Sequence, residues 1–187
     1  MLKKIILIFF FLFILIKSSF ASIETKIINN LLKTNNLTFN FKQTIGKKTE
    51  EGQCTIEYPK KIFCLYNNYN KKIIVSNGRS LAIKNQTSNQ YYLYPLKKTP
   101  LELILDKNFL INQIKEVESR TIDDKYINFT IIRNNNKINI FFDKETLNLI
   151  GWQTEDIYQN LAITFISKVK TNQKIDKKIF KIPKKIY

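Results

Sequence analysis

Leu37-Thr38-Phe39-Asn40-Phe41-Lys42 and Cys54-Thr55-Ile56-Glu57-Tyr58 decide the fold. In both, apolar and polar residues alternate, the period of a strand with one face in a core and the other toward water. Pro59 and Lys60 end the second stretch, and the same pattern resumes at Ile62–Asn67, Lys71–Ser76, Ser80–Lys84 and Gln90–Tyr94. Asn67-Asn68, Asn77-Gly78 and Gln86 to Asn89 punctuate these runs, and Asn77-Gly78 is the sharpest hairpin signal among them.

Upstream of the first strand the period changes. Ile23, Ile27, Ile28, Leu31 and Leu32 recur at helical spacing behind Ser22, which predicts a capped helix from Ile23 to Asn35. Downstream, Thr99-Pro100-Leu101-Glu102 is a helix start, with Thr as cap, Pro at the first position and Glu in the first turn. Strands then resume at Gln113–Arg120, Tyr126–Arg133, Lys137–Phe142, Leu147–Thr154 and Leu161–Lys168. The expectation is a mainly β chain with helices (α+β). About eleven antiparallel strands curl into an incomplete barrel, and a helical lid covers its concave face. The apolar interior is either a filled core or a pocket for an apolar ligand.

Composition narrows the chemistry. The 187 residues hold no His and two Cys, so no Ser-His or Cys-His pair, His metal site or four-thiolate cluster is available. No enzyme activity, cofactor or metal is expected. The formal charge is +16, but 28 of the 31 basic residues are Lys and three are Arg (Arg79, Arg120, Arg133). Phosphate grips favour the forked Arg side chain, so nucleic acid is not an expected partner. Lys pairs such as Lys60-Lys61, Lys97-Lys98 and Lys184-Lys185 are spread along the chain as solvated surface or as docking points for acidic partners. Glu155 and Asp156 are adjacent on a strand and point to opposite faces, which rules out their acting as a catalytic pair.

Residues 1–21 read as an export signal: Met1-Leu2-Lys3-Lys4, apolar Ile5 to Ile16, then Ser19 and Ala21 at the positions before a cleavage point after Ala21. The twelve apolar residues reach about 18 Å, short of a roughly 30 Å hydrocarbon core. One domain, residues 22–187, is expected to follow in the periplasm. Cys54 and Cys64 each lie five residues from Pro59, which puts them opposite each other across the hairpin. In an oxidising compartment this predicts a disulfide; the alternative is two buried thiols.

From Leu37 to Leu105 the chain resembles the LolA-type family of periplasmic outer-membrane lipoprotein carriers. The resemblance lies in Phe39-Asn40-Phe41-Lys42-Gln43, Gly52-Gln53-Cys54-Thr55-Ile56-Glu57-Tyr58-Pro59, Ile73-Ile74-Val75-Ser76-Asn77-Gly78 and, above all, Tyr94-Pro95-Leu96-Lys97-Lys98-Thr99-Pro100-Leu101. Asp156, Asn160 and Phe180-Lys181-Ile182-Pro183 match more weakly. The resemblance implies a shuttle without cofactor. Its cargo would be acylated lipoproteins, its donor an inner-membrane lipoprotein-releasing ABC transporter and its acceptor an outer-membrane lipoprotein receptor, with the carrier a monomer. A lipid- or lipoprotein-sensing module of the same fold is the alternative.

It also implies an acyl-chain cavity from the inward set Leu37, Phe39, Phe41, Ile56, Tyr58, Val75, Leu81 and Ile83, with Pro100, Leu101, Leu103, Ile104 and Leu105 as the lid. The same residues read without the resemblance as ordinary core. Relatives usually carry Arg before the strand-ending Pro, where it helps hold the lid; Tyr58 stands there instead, and can donate one hydrogen bond to a lid carbonyl.

Overall fold

Alternation over residues 36–57 becomes a long hairpin in the computed structural model, which describes residues 22–69, 71–87, 90–133, 136–155 and 160–183. β1 (Asn36–Ile45) pairs with β2 (Lys48–Glu57), Phe39 opposite Cys54 and Phe41 opposite Gly52. The close approach at Gly52 excludes a side chain, since a Cβ there would stand 2.2 Å from the Leu65 carbonyl oxygen and 2.8 Å from the Phe41 ring. β3 (Lys61–Tyr66), β4 (Lys72–Asn77), β5 (Ser80–Asn85) and β6 (Tyr91–Pro95) follow as a meander. Gly78 takes φ +96° in the β4–β5 turn, where the Asn77 side chain accepts from the Arg79 and Ser80 amides.

The second half runs β7 (Arg120–Ile122), β8 (Tyr126–Arg133), β9 (Asn136–Asp143), β10 (Leu149–Glu155) and β11 (Leu161–Thr171). β11 returns to pair with β1, giving one antiparallel eleven-stranded sheet in the order β6-β5-β4-β3-β2-β1-β11-β10-β9-β8-β7. β6 and β7 stay apart, so the barrel is open.

Three helices cover the concave face. α1 (Ile23–Lys33) is capped by Ser22, whose hydroxyl accepts from the Thr25 amide, and buries Ile27 and Leu31. It stops two residues short of the expected Asn35, because Thr34 is already extended. α2 (Leu101–Leu105) follows a 3₁₀ turn at Leu96–Lys98. The Thr99 hydroxyl donates to the Leu96 carbonyl and does not cap the helix, contrary to the expectation.

α3 (Lys107–Glu116) is the main correction to the sequence reading, which placed a strand at Gln113–Arg120. The Asp106 side chain accepts from the Phe109 amide and caps α3, and Leu110, Ile111 and Ile114 fall on one buried stripe. Burial of that stripe outweighs the β preference of Ile114 and Val117; of the expected strand only Arg120 remains, as the first residue of a strand that runs to Ile122. β10 likewise starts at Leu149, because Leu147 takes φ +57° in the preceding turn.

No helix among the described residues is long and apolar enough to cross a membrane. The expected signal segment 1–21, Asp156 and Lys184-Lys185 lie outside the described residues.

Candidate functional site: a lidded apolar cavity

Strand pairing fixes which side chains share the concave face. Phe39, Cys54, Cys64, Ile74 and Ile83 form one row across β1 to β5, and Leu37, Ile56, Ile62, Ser76 and Leu81 form the next. Between these rows and α2 lies a cavity of about 410 Å³. Its sides are Phe41, Ile62, Ile74, Leu81 and Ile83 from the sheet, Trp152 from β10, and Pro100, Leu101 and Ile104 from the lid. Trp152 also meets the edge of Phe39, with ring centroids 6.4 Å apart.

Cys54 and Cys64 are joined as a disulfide in the cavity wall, with Cα atoms 4.1 Å apart. The opposed placement read from the Pro59-centred hairpin is the observed register.

The expected cavity set divides three ways. Phe41, Leu81 and Ile83 line the cavity. Leu37, Phe39, Ile56 and Tyr58 share the concave face but are buried in the core beneath the helices. Val75 is on the other face, in register with Phe63 and Ala82, where the C-terminal 3₁₀ turn Lys177–Phe180 packs on β3 and β4. β4 is apolar on both faces, so its alternation alone could not orient Val75. In the expected lid, Pro100, Leu101 and Ile104 face the cavity, whereas Leu103 and Leu105 are core.

Lining residues absent from the sequence reading include Gln43, Ile45, Tyr66, Lys72, Tyr94, Thr154 and Thr164. Gln43 and Ile45 continue the Phe41 row by the same alternation, and Tyr66 follows from the disulfide register.

The lid is tied to the sheet at Lys60, which takes φ +66° in the β2–β3 turn. Its backbone N–H donates to the Leu105 carbonyl at 2.9 Å. Its ammonium lies 3.0 Å from Glu102 Oε1 and 3.1 Å from Asp106 Oδ2, which holds its pKa above the ordinary lysine value. Tyr58, at the position where the resemblance places Arg, makes no such tie. Its hydroxyl is buried and has no hydrogen-bond partner among the described residues, and burial raises the phenol pKa. The expected Tyr58 bond to a lid carbonyl is therefore replaced by Lys60, two residues on. Lys107 adds a second tie, donating to the Thr34 carbonyl at 2.9 Å while lying 5.6 Å from the Tyr58 ring centroid.

The polar end of the cavity is ordered around Glu50. Burial would raise this carboxyl, but bonds from Lys72, Lys48 and Asn68 outweigh that and hold it below its ordinary value. Among the described residues, no group of three or more His, Cys, Asp or Glu could hold a metal ion. The cavity, apolar over most of its wall, can sequester an apolar ligand.

Similar folds occur among solved structures. An uncharacterised conserved protein from Thermus thermophilus is 8% identical with a TM-score of 0.52, over 86% of this chain and 93% of its own. A LolA superfamily protein from Nitrosomonas europaea is 10% identical with a TM-score of 0.47, over 87% of this chain and 99% of its own. An outer-membrane lipoprotein-sorting protein domain, described as such from Vibrio parahaemolyticus, is 7% identical with a TM-score of 0.47, over 83% and 94%. No curated protein matches by sequence. Residues 32–183, which span the sheet, the lid and the cavity, match the family described as outer membrane lipoprotein carrier protein LolA, and the chain belongs to that family.

Proposed function

We propose that this protein is a periplasmic chaperone carrying acylated lipoproteins from the inner to the outer membrane, with acyl chain held in the lidded cavity. Residues 1–21 direct export and are removed after Ala21, and residues 22–187 form the carrier. It receives cargo from an inner-membrane lipoprotein-releasing ABC transporter, delivers it to an outer-membrane receptor, and works as a monomer without cofactor, nucleic acid or catalysis.

The observation that carries this reading is the apolar cavity of about 410 Å³ roofed by α2. Each methylene withdrawn from water contributes about 0.8 kcal/mol, so an acyl chain crosses an aqueous space only when shielded. A lid of five residues, joined to the sheet by a few polar contacts, can give way to a chain that replaces its apolar contacts.

The test adds purified protein to spheroplasts that display a labelled triacylated lipoprotein. The expected result is ATP-dependent appearance of the lipoprotein in the soluble fraction, bound one to one. Absence of release by folded protein overturns the carrier reading and favours a sensing module of the same fold.

A further inference from the structure

One strip of the cavity wall is polar, and it carries hydrogen-bond donors that the protein leaves unspent. Gln43, Tyr66, Lys72 and Thr164 reach the cavity from β1, β3, β4 and β11. The Tyr66 hydroxyl donates to Gln43 Oε1 at 3.2 Å, and Gln43 Nε2 donates to Thr164 Oγ1 at 3.1 Å. The Lys72 ammonium stands 3.7 Å from the Tyr66 ring centroid and pairs with Glu50 Oε2. Thr164 is 3% exposed, yet its hydroxyl hydrogen meets no acceptor among the described residues. The second Gln43 N–H and a Lys72 N–H are likewise without acceptors. Among the described residues the strip thus keeps unspent donors on Thr164, Gln43 and Lys72, which a hydrogen-bond acceptor meets, beside the Tyr66 hydroxyl, whose lone pairs accept no bond.

The strip also has a defined place along the cavity. Ile45, Ala162 and Thr154 lie on its rim side, since Ile45 pairs with Ala162 and Ala162 with Thr154. On the other side the wall turns apolar through Phe41, the disulfide, Ile62 and Leu81. From Gln43 to the row of Leu37 is six residues of β1, or about 20 Å of wall. A cavity of about 410 Å³ with one such strip offers a single seat for the end of an acyl chain and room for its hydrocarbon.

We propose that Thr164, Gln43 and Lys72 seat the carbonyl end of a single acyl chain, whose hydrocarbon runs from the strip beneath Leu101 and Ile104. This rests on the acyl-carrier reading and adds to it a direction for the chain, a count of one chain in the closed molecule, and the residues that recognise the oxygen. The occupant is a hydrogen-bond-accepting acyl oxygen, whether of an ester, an amide or a free carboxylate.

The test uses hexadecanoate, its methyl ester and hexadecane as probes, with native mass spectrometry for stoichiometry and calorimetry for affinity. One chain per protein is expected for each. Thr164→Val and Gln43→Leu should each weaken both oxygenated probes about tenfold, the worth of one neutral hydrogen bond, and leave hexadecane unchanged. Thr164→Val keeps the shape of the side chain, so a folding defect in Lys72→Met, which strands Glu50, does not compromise the result. Two or more chains per closed protein, an equal loss for hexadecane, or a loss confined to the carboxylate each overturns the assignment. Lipoprotein release by the same protein separates the two readings: release without hexadecanoate binding overturns this seat alone, and binding without release overturns the carrier.

Discussion

In the half of the sheet that ends at β7, the concave face is filled across β8 and β9. Phe129, Ile131, Ile140 and Phe142 are 1% exposed or less, and Phe129 and Phe142 meet edge to face at 5.9 Å. α1 and α3 lie against this half: Asn30 donates to the Leu147 carbonyl, Ser119 to Glu24, and Arg133 stacks on Phe109. In the half from β1 to β6, Ile74 and Ile83 occupy equivalent concave positions yet face open space beneath α2. The strand pattern is the same in both halves. What differs is the opposing layer: two helices of eleven and ten residues on one side, one of five on the other. A strand presents an apolar face, and the number of side chains arriving from across decides whether that face becomes core or cavity.

The sharpest way to break this comparison is to truncate one side chain in each half. Phe129→Ala opens a void in a packed layer and should cost about 3–5 kcal/mol in urea denaturation. Ile83→Ala only enlarges an existing space and should cost roughly 1 kcal/mol. Equal costs would mean that the cavity half is as tightly packed as the other. The disulfide comes next. It sits in the cavity wall, and Cys54→Ala with Cys64→Ala should remove about 2–3 kcal/mol relative to the oxidised wild type, with a matching loss in the reduced wild type as control.

These differences also explain what could be read from the residues alone. Alternation and turn residues gave ten of the eleven strands and the Cys54–Cys64 register, because both are local consequences of period two and of a hairpin centre. α3 was obscured by Ile114 and Val117, whose β-branched side chains mask the Leu110, Ile111 and Ile114 stripe. Val75 was placed inward because β4 is apolar on both faces, and the cover on its outer face arrives from Lys177–Phe180, a hundred residues away in the chain. The division of the inward set into core and cavity depends on the opposing helices, which no strand encodes. Lys60 looked like half of a solvated Lys pair, since its partners Glu102 and Asp106 lie more than forty residues on.

Tyr58 sharpens the comparison at the border between the halves. Its ring packs in the core, but its hydroxyl is buried without a partner among the described residues, a condition that costs about 1–3 kcal/mol relative to a satisfied group. Tyr58→Phe should therefore stabilise the protein by about 1 kcal/mol, read as a higher midpoint in urea at unchanged slope. Loss of stability would show that the hydroxyl finds an acceptor in solution.

The smallest effect concerns the lid tie. Lys60 is about a third exposed, so its pairs with Glu102 and Asp106 are screened and Lys60→Met should cost at most ~1 kcal/mol globally. The local effect is larger in proportion, because α2 has few other polar contacts with the sheet: amide exchange at Leu103 to Leu105 should rise several-fold while Phe129 and Ile140 stay protected. The pH dependence has a fixed sign. The Lys60 pKa is raised by Glu102 first and Asp106 second, so the tie is fully present below the unfolded lysine value of about 10.4 and is lost as pH climbs through the higher folded value. Exchange at the lid should thus accelerate, beyond the intrinsic base-catalysed rate, only above about pH 10 in the wild type. In Lys60→Met that extra step should be absent, and its persistence would place the closing contact elsewhere, with Lys107 and the Thr34 carbonyl the next pair to cut.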